Sequence, residues 1–185
     1  MKLIFATGNK HKLEEARAVL SEYNIIVEQL DDKGSEDKES TIQQVAMKAA
    51  KELAEKHHKP IMVDDTGIFF AAYTNFPGSH PRLMFETLRY KGLLKLLENE
   101  SRKAYFLCCV ALCFPGKKPI LFEGRLDGTI AEKPFDMKKD VMPYERIFIP
   151  DGKTKPISAC SREEKNAMSH RAIAFRKLGE YLTKK

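Results

Sequence analysis

Several features that would place a chain in a common class are missing from this sequence. No apolar run approaches the length of a membrane-spanning helix. The apolar start Met1–Ala6 is too short for the core of a secretory signal, because residues 7–12 are polar. The sequence therefore predicts a protein that stays in the cytoplasm and does not enter a membrane.

The cysteine pattern also lacks the spacing of a metal or disulfide framework. There are four cysteines, and no two of them form a C-x-x-C pair. Cys108, Cys109 and Cys113 share one apolar stretch, where a free cysteine behaves as a small hydrophobic residue. Neither a zinc site nor a disulfide is predicted.

The charge is positive but is not concentrated. The net charge is +6 and the pI is about 9.0, yet no block of five or more like charges occurs. A polyanionic partner fits this balance, and the even spread favours a nucleotide over a nucleic acid. The alternative is a lysine-rich surface with no special partner. The length of 185 residues and the hydrophobic share of 43% predict one domain over residues 1–185, with two lobes. The sequence contains no internal repeats.

What is present begins with a strand that turns sharply into a helix. Leu3–Ala6 is wholly apolar, and apolar residues recur at helical spacing after residue 12. Such a turn places N–H groups and the positive end of a helix dipole where they favour an anion. The turn consists of Thr7, Gly8, Asn9, Lys10, His11 and Lys12. It predicts a cradle for phosphates; the alternative is a plain turn, a helix cap and solvated lysines. It is not a P-loop.

A second polar stretch, Asp64-Asp65-Thr66-Gly67, follows the short apolar strand Ile61–Val63. Carboxylates at a strand end are where α/β sheets commonly place their chemistry. Mg²⁺ is typically held by one or two carboxylates together with substrate phosphates. The stretch thus predicts a metal or catalytic site, and the alternative is an Asp-Gly turn between two strands of a hairpin.

Three further regions carry candidate residues. The acidic loop 31–40 is either solvated or brings carboxylates to a site, and Arg82 either reaches a phosphate or lies exposed at the start of a helix. A capping box at Ser161 and Glu164 predicts the start of the C-terminal helix. Near this start lie Lys165, Ser169, His170 and Arg171. They suit a polyphosphate or a base, although a basic solvated face is the simpler reading.

Four separated stretches, in this order, resemble the inosine triphosphate pyrophosphatase family over nearly the whole chain. They are Phe5-Ala6-Thr7-Gly8-Asn9-x-x-Lys12-x-x-Glu15, Val63-Asp64-Asp65-Thr66-Gly67, Phe76-Pro77-Gly78, and Glu164-Lys165-Asn166-Ala167-Met168-Ser169-His170-Arg171. The resemblance implies an elongated, two-lobed α/β fold with a mixed central sheet flanked by helices and a deep substrate cleft. It implies a homodimer that hydrolyses ITP, dITP or XTP to the monophosphate and pyrophosphate. The cofactor would be Mg²⁺, with Mn²⁺ as a substitute.

The resemblance also implies roles for single residues. Residues 7–12 would hold the triphosphate, with Lys12 assisting catalysis. Asp65 would bind the metal and act as base for the attacking water, Asp64 would support it, and Thr66 would touch the substrate. Lys165, Ser169, His170 and Arg171 would contact the base and the phosphates. In relatives the acidic loop supplies a second metal carboxylate, and here Asp32 and Glu36 are both candidates.

One stretch departs from the family pattern. Relatives usually carry Phe-Gly-Tyr-Asp-Pro-x-Phe before the last strand, and this chain reads Met142-Pro143-Tyr144-Glu145-Arg146-Ile147-Phe148. Tyr144 and Glu145 are kept as base-contacting candidates. The departure leaves three hypotheses open: a pool-cleansing pyrophosphatase, a nucleotide-binding relative with weakened or altered catalysis, and a nucleic-acid-binding domain supported by net charge alone.

Overall fold

The computed structural model describes residues 1–32, 34 and 41–184, and strands and helices alternate only as far as the third strand. The strands are β1 (Lys2–Ala6), β2 (Ile26–Leu30), β3 (Ile61–Phe70), β4 (Pro77–Gly78), β5 (Lys103–Cys113), β6 (Ile120–Ile130) and β7 (Phe148–Pro150). The α-helices are α1 (Lys10–Ser21), α2 (Ile42–His57), α3 (Pro81–Leu96), α4 (Arg162–Met168) and α5 (His170–Thr183). Two 3-10 turns lie at Pro143–Arg146 and Ile157–Ala159.

The described strands form one mixed sheet in the order β2-β1-β3-β5-β6-β7, with β4 paired to β3. Strand β1 runs parallel to both β2 and β3, whereas the β3–β4 and β6–β7 pairs are antiparallel. Helix α1 packs on β2 and on α5. The predicted α/β class, with a mixed sheet flanked by helices, is confirmed. No described helix is long and apolar enough to cross a membrane.

The chain divides into two compact units. The first unit comprises residues 1–66, 108–124 and 169–185, and the second comprises residues 67–107 and 125–168. In the first unit the core joins β1, α1, β5 and α5, with Phe5 packed edge-on against Phe175 at 5.6 Å between ring centroids. In the second unit the core packs Phe70, Phe106 and Phe148 among isoleucine and leucine side chains. Each unit therefore has a hydrophobic core of its own.

Strand β3 corrects one expectation from the sequence. The Asp64–Gly67 stretch was predicted to interrupt the strand or to form a turn, but β3 continues through it from Ile61 to Phe70. Within the second unit, a Cβ at Gly67 would lie 2.7 Å from the Gly78 carbonyl and from the Phe69 ring. The glycine is thus required by the close approach of β4 and not by a turn.

The C-terminal helix is also divided, where the sequence predicted one continuous helix. The Ser161–Glu164 capping box is present: the Glu164 N–H donates to Ser161 Oγ at 3.1 Å, and the Ser161 N–H donates to Glu164 Oε2 at 2.9 Å. Helix α4 nevertheless ends at Met168, and Ser169 caps a new helix by accepting the Ala172 N–H at 3.1 Å. The break places His170 and Arg171 in the first turn of α5.

Candidate active site

The turn after β1 is built around Asn9, which caps helix α1. Asn9 Oδ1 accepts the N–H groups of His11 and Lys12 at 2.9 and 3.3 Å, while the Asn9 N–H donates to Thr7 Oγ1 at 3.2 Å. The predicted cap is therefore present, and it already uses two of the N–H donors at the helix start. Thr7 is buried, whereas Gly8 and Lys10 are exposed. Their contact with phosphate stays a prediction.

Lys12 does not belong to a solvated face. Its side chain is only 19% exposed, and its Nζ lies 3.0 Å from Asp64 Oδ1 and 3.4 Å from the Asp64 carbonyl oxygen. Helix α1 thus carries its lysine inward from the capped turn to the middle of β3. The ion pair places a positive charge beside the strand that bears both aspartates.

Arg171 reaches the same carboxylate from α5. Its Nε lies 3.1 Å from Asp64 Oδ2, its Nη1 lies 2.8 Å from Glu15 Oε2, and its Nη2 donates to Thr66 Oγ1 at 3.4 Å. The arginine side chain is 1% exposed. We call the four side chains Lys12, Glu15, Asp64 and Arg171 the buried charge cluster. It contains two cations and two anions, so its formal charges cancel.

The buried charge cluster keeps Asp64 ionised. Burial by itself would raise the pKa of Asp64, but Lys12 and Arg171 together hold this pKa below its ordinary value of 3.8. Burial would likewise lower the pKa of Arg171, yet Glu15 and Asp64 raise it above its ordinary value. Thr66 also donates to Asp64 Oδ2 at 3.4 Å. A carboxylate held by two cations is a poor proton acceptor, so Asp64 suits an orienting role.

Glu15 is the residue whose role the sequence did not predict. It is 7% exposed and holds the far side of the Arg171 guanidinium. Its position between Leu13 and Ala16, which both face the core, was the available signal, since a buried glutamate requires a charged partner. The identity of that partner depended on the packing of α1 against α5, which spacing does not give.

Asp65 points away from the buried charge cluster. Because side chains alternate along a strand, Asp64 and Thr66 share one face of β3 and Asp65 lies on the other. Asp65 is partly exposed, and its Oδ1 accepts the Thr66 N–H at 2.9 Å. The two adjacent aspartates therefore have different surroundings, and Asp65 is the one that solvent or a ligand can approach.

The predicted metal ligands are only partly described. Asp32 accepts Lys56 Nζ at 2.7 Å and faces His57 Nε2 at 3.0 Å; these two contacts lower the pKa of Asp32 to about 2. Glu36 lies outside the described residues. Over residues 1–32, 34 and 41–184, no group of three His, Cys, Asp or Glu side chains could hold a metal ion. Asp65 fits a cation that is shared with phosphate oxygens, as Mg²⁺ commonly is.

The start of α5 is held against β6 within the first unit. A Cβ at Gly124 would lie 1.9 Å from the His170 carbonyl oxygen, so only glycine allows this approach. Gly124 therefore has a packing role in β6. Ser169 and His170 are 1% and 2% exposed. Gly124 thereby fixes the helix turn that carries Arg171.

The second unit contains another buried ion pair. Lys165 Nζ lies 2.7 Å from Glu145 Oε1, and the two side chains are 17% and 2% exposed. Glu145 Oε2 is buried and has no hydrogen-bond partner among the residues that the structure describes. Tyr144 precedes it, with its ring edge-on to Phe70 and Phe85 at 6.5 and 6.1 Å between centroids. Burial raises the pKa of Tyr144, so its hydroxyl keeps its proton.

Two arginines considered in the sequence have contrasting positions. The Arg82 side chain is 85% exposed, and its Nε lies 2.8 Å from Glu86 Oε1 along α3. This position matches the alternative that Arg82 lies exposed at the start of a helix. Arg146, in the stretch that departs from the family pattern, instead donates to three backbone carbonyls of residues 136–139. Contact of Arg82 with a phosphate stays a prediction.

Comparison with known proteins places this arrangement in a family. The model of the Ham1 family matches residues 3–181. The chain belongs to the Ham1 family. The Ham1 proteins of Coxiella burnetii and Staphylococcus aureus share its fold: both are 24% identical to it, with TM-scores of 0.81 and 0.79. Coverage is complete for both chains in the first comparison and 98% of each chain in the second.

Two pyrophosphatases are more similar to this chain in sequence. A dITP/XTP pyrophosphatase of Methanopyrus kandleri is 38% identical over 182 residues, which cover 98% of this Ham1-family chain and 96% of the relative. A dITP/XTP pyrophosphatase of Pyrobaculum aerophilum is also 38% identical, over 99% of this chain and 97% of the relative. These matches span the buried charge cluster and the Glu145–Lys165 pair alike.

Proposed function

We propose that this Ham1-family protein hydrolyses non-standard purine nucleoside triphosphates to the monophosphate and pyrophosphate. The observation that carries the proposal is the convergence of Lys12 and Arg171 on Asp64 at 3.0 and 3.1 Å, one residue from the more exposed Asp65. The names of the relatives from Methanopyrus kandleri and Pyrobaculum aerophilum support the same reaction with dITP and XTP. No observation favours the alternative of a relative with weakened catalysis, or a nucleic-acid-binding domain.

Asp65, Lys12 and Arg171 have separate roles in the cleavage of a phosphoanhydride bond. Water attacks the α-phosphorus, the bond to the bridging oxygen breaks, and pyrophosphate leaves. Asp65 takes the proton of the attacking water, because it is the more exposed of the two aspartates and solvent can approach it. Lys12 faces the negative charge that develops on the phosphates. Arg171 is too enclosed to approach a ligand as placed, so we assign it the orientation of Asp64, and through Asp64 of Lys12.

A divalent cation fits this site through Asp65. We propose Mg²⁺, with Asp65 and either Asp32 or Glu36 as protein ligands and the substrate phosphates completing the coordination. When bound, it would polarise the phosphoryl oxygens and neutralise charge on the leaving pyrophosphate. Asp32 would have to exchange its contacts with Lys56 and His57 for the metal.

We also propose that residues 1–185 act as one domain, in a cytoplasmic homodimer.

Product analysis tests the reaction. The protein is incubated with ITP, dITP, XTP, GTP and ATP, with and without Mg²⁺, and monophosphate, diphosphate, pyrophosphate and orthophosphate are quantified separately. The proposal expects IMP and pyrophosphate in equal amounts from ITP, and only with the divalent ion. The matched control is Glu132→Gln, which removes an exposed carboxylate of the second unit. Formation of IDP and orthophosphate, or no cleavage of any nucleotide, would refute the proposed reaction.

A further inference from the structure

Arg146 ties a surface loop to the turn that carries Glu145. We call residues 135–139 the strap. Arg146 Nε donates to the Asp136 carbonyl at 3.1 Å, and Nη2 donates to the carbonyls of Lys139 and Met137 at 2.5 and 3.4 Å. The Arg146 carbonyl accepts the Phe135 N–H at 2.9 Å. A planar guanidinium can serve several carbonyls at once, so Arg146 fixes the strap at both of its ends.

The strap is also ordered by its own contacts. Asp136 Oδ1 accepts the N–H groups of Lys138 and Lys139 at 3.2 and 3.3 Å, which forms a tight turn. Lys139 Nζ then donates to the Ser158 and Cys160 carbonyls at 2.5 and 3.1 Å. Cys160 immediately precedes Ser161, the cap of α4. Lys139 therefore extends the connection from Arg146 to the start of the helix that bears Lys165.

A second contact of Arg146 holds the first residue of the Glu145 turn. Its Nη1 donates to the Tyr90 hydroxyl oxygen at 3.4 Å, and that hydroxyl donates to the Pro143 carbonyl at 2.9 Å. The turn Pro143–Arg146 is thus held by its last side chain on one side and by Tyr90 on the other. Glu145 lies inside this turn and has little freedom to move.

Glu145 and Lys165 therefore lie on separate segments, and the strap connects the Glu145 turn to the start of the helix that bears Lys165. We propose that Arg146, acting through Lys139, positions the Glu145–Lys165 pair and so sets which purine base the enzyme accepts. The inference rests on the proposed function. Glu145 Oε2 is buried with no described partner, and a small displacement of the turn would change which base donor this oxygen could accept. Arg146 and Lys139 would be positioning residues, since neither is required to touch the substrate.

The test compares variants of the strap contacts in the full-length protein. Arg146→Met should raise KM for ITP about tenfold, leave kcat within about twofold, and bring the kcat/KM values for ITP and GTP closer together. Arg146→Lys should recover little, because one ammonium group cannot span three carbonyls. Lys139→Met should also raise KM for ITP and bring the kcat/KM values for ITP and GTP closer together. The double variant should be no worse than Arg146→Met, because the two contacts form one path. Arg125→Met, which removes an exposed arginine paired with Asp127, is the matched control.

Two outcomes would overturn the proposal. One is an unchanged KM and an unchanged ITP-to-GTP ratio in Arg146→Met; the other is additive effects of the two substitutions. Hydrogen exchange separates this inference from the proposed function, since it requires no turnover. In Arg146→Met, the amides of residues 144–146 and 162–165 should exchange about tenfold faster than in the parent, while those of Arg125→Met should not. Unchanged exchange would reject the positioning role even in a protein that cleaves no nucleotide.

Discussion

The two buried ionic groups of this protein are built differently. In the first unit, Lys12, Glu15, Asp64 and Arg171 cancel one another's charge, and Arg171 holds both anions. In the second unit, Glu145 forms a single ion pair with Lys165, at 2.7 Å. A network in which one arginine holds two carboxylates fixes geometry, whereas a single ion pair leaves its carboxylate more capacity to take up a ligand contact and so to discriminate between ligands. We propose from this difference that the first unit governs turnover and the second governs choice of base.

The largest effect is expected at Asp65, beside the neutralised cluster. Asp65→Asn should lower kcat for ITP by about 10²–10⁴-fold, because the water loses its base and the metal loses a charged ligand. Circular dichroism should be unchanged, since the substitution preserves volume. The control is Asp127→Asn, on an exposed aspartate. Near-normal turnover of Asp65→Asn would remove Asp65 from the mechanism.

The next effect concerns stability and distinguishes a buried cluster from a surface pair. Arg171→Met should lower the free energy of unfolding by about 3–5 kcal/mol, because Glu15 and Asp64 would keep buried charges without their shared partner. Arg82→Met, which removes an exposed pair with Glu86, should cost about 0–1 kcal/mol. Urea denaturation of both variants measures the difference. Equal losses would show that the cluster contributes no more than a surface pair.

The pH dependence of stability follows from the same cluster. Since the folded-state pKa of Asp64 lies below 3.8, its contribution is complete above that pH and is lost as the pH falls through the folded-state pKa. Removing the Arg171 charge would raise the folded-state pKa. Arg171→Met should therefore begin to lose stability at higher pH than the parent during acid titration. Parallel acid transitions in the two proteins would show that Arg171 does not hold Asp64 ionised.

A moderate effect is expected from rebuilding the stretch that departs from the family pattern. Met142→Phe and Pro143→Gly together should sharpen the preference for ITP over GTP, by about tenfold if base stacking is restored, and adding Glu145→Asp and Arg146→Pro should give a smaller gain. The parent should accordingly discriminate less strictly than its relatives. A parent already strict for ITP, with no change on rebuilding, would show that another segment selects the base. Arg146→Pro also removes the strap contacts, so the Met142→Phe and Pro143→Gly pair is measured separately.

The sequence predicted much of the fold because its signals were local. The apolar run Leu3–Ala6 located β1 and the turn into α1, and the capping box at Ser161 was correct. The continuous course of β3 was missed, since Asp-Asp-Thr-Gly favours a turn locally while pairing with neighbouring strands overrides that preference. The break at Ser169 was missed for a related reason: a serine inside a helical pattern signals a cap only once the preceding helix is known to end.

The site was less predictable than the fold. Motifs identified Lys12, Asp64 and Arg171. They did not show that Lys12 and Arg171 both contact the Asp64 carboxylate, because this depends on how α1, β3 and α5 pack in space. The role of Glu15 depends on Arg171, which is 156 residues away in the chain, and that of Arg146 depends on how the loop seven to ten residues before it folds back. Spacing along the sequence carries no information on such partners, and composition does not distinguish a buried arginine from an exposed one.

The central claim, that one unit governs turnover and the other choice of base, is tested most directly by comparing two substitutions on two substrates. The measurement is kcat/KM for ITP and for GTP in Lys12→Ala and Glu145→Gln, each at two ionic strengths. Lys12→Ala should lower both values about tenfold to a hundredfold, with a smaller salt dependence than the parent and an unchanged ratio. Glu145→Gln should alter the ratio at either ionic strength. A changed ratio in Lys12→Ala together with an unchanged ratio in Glu145→Gln would contradict the account.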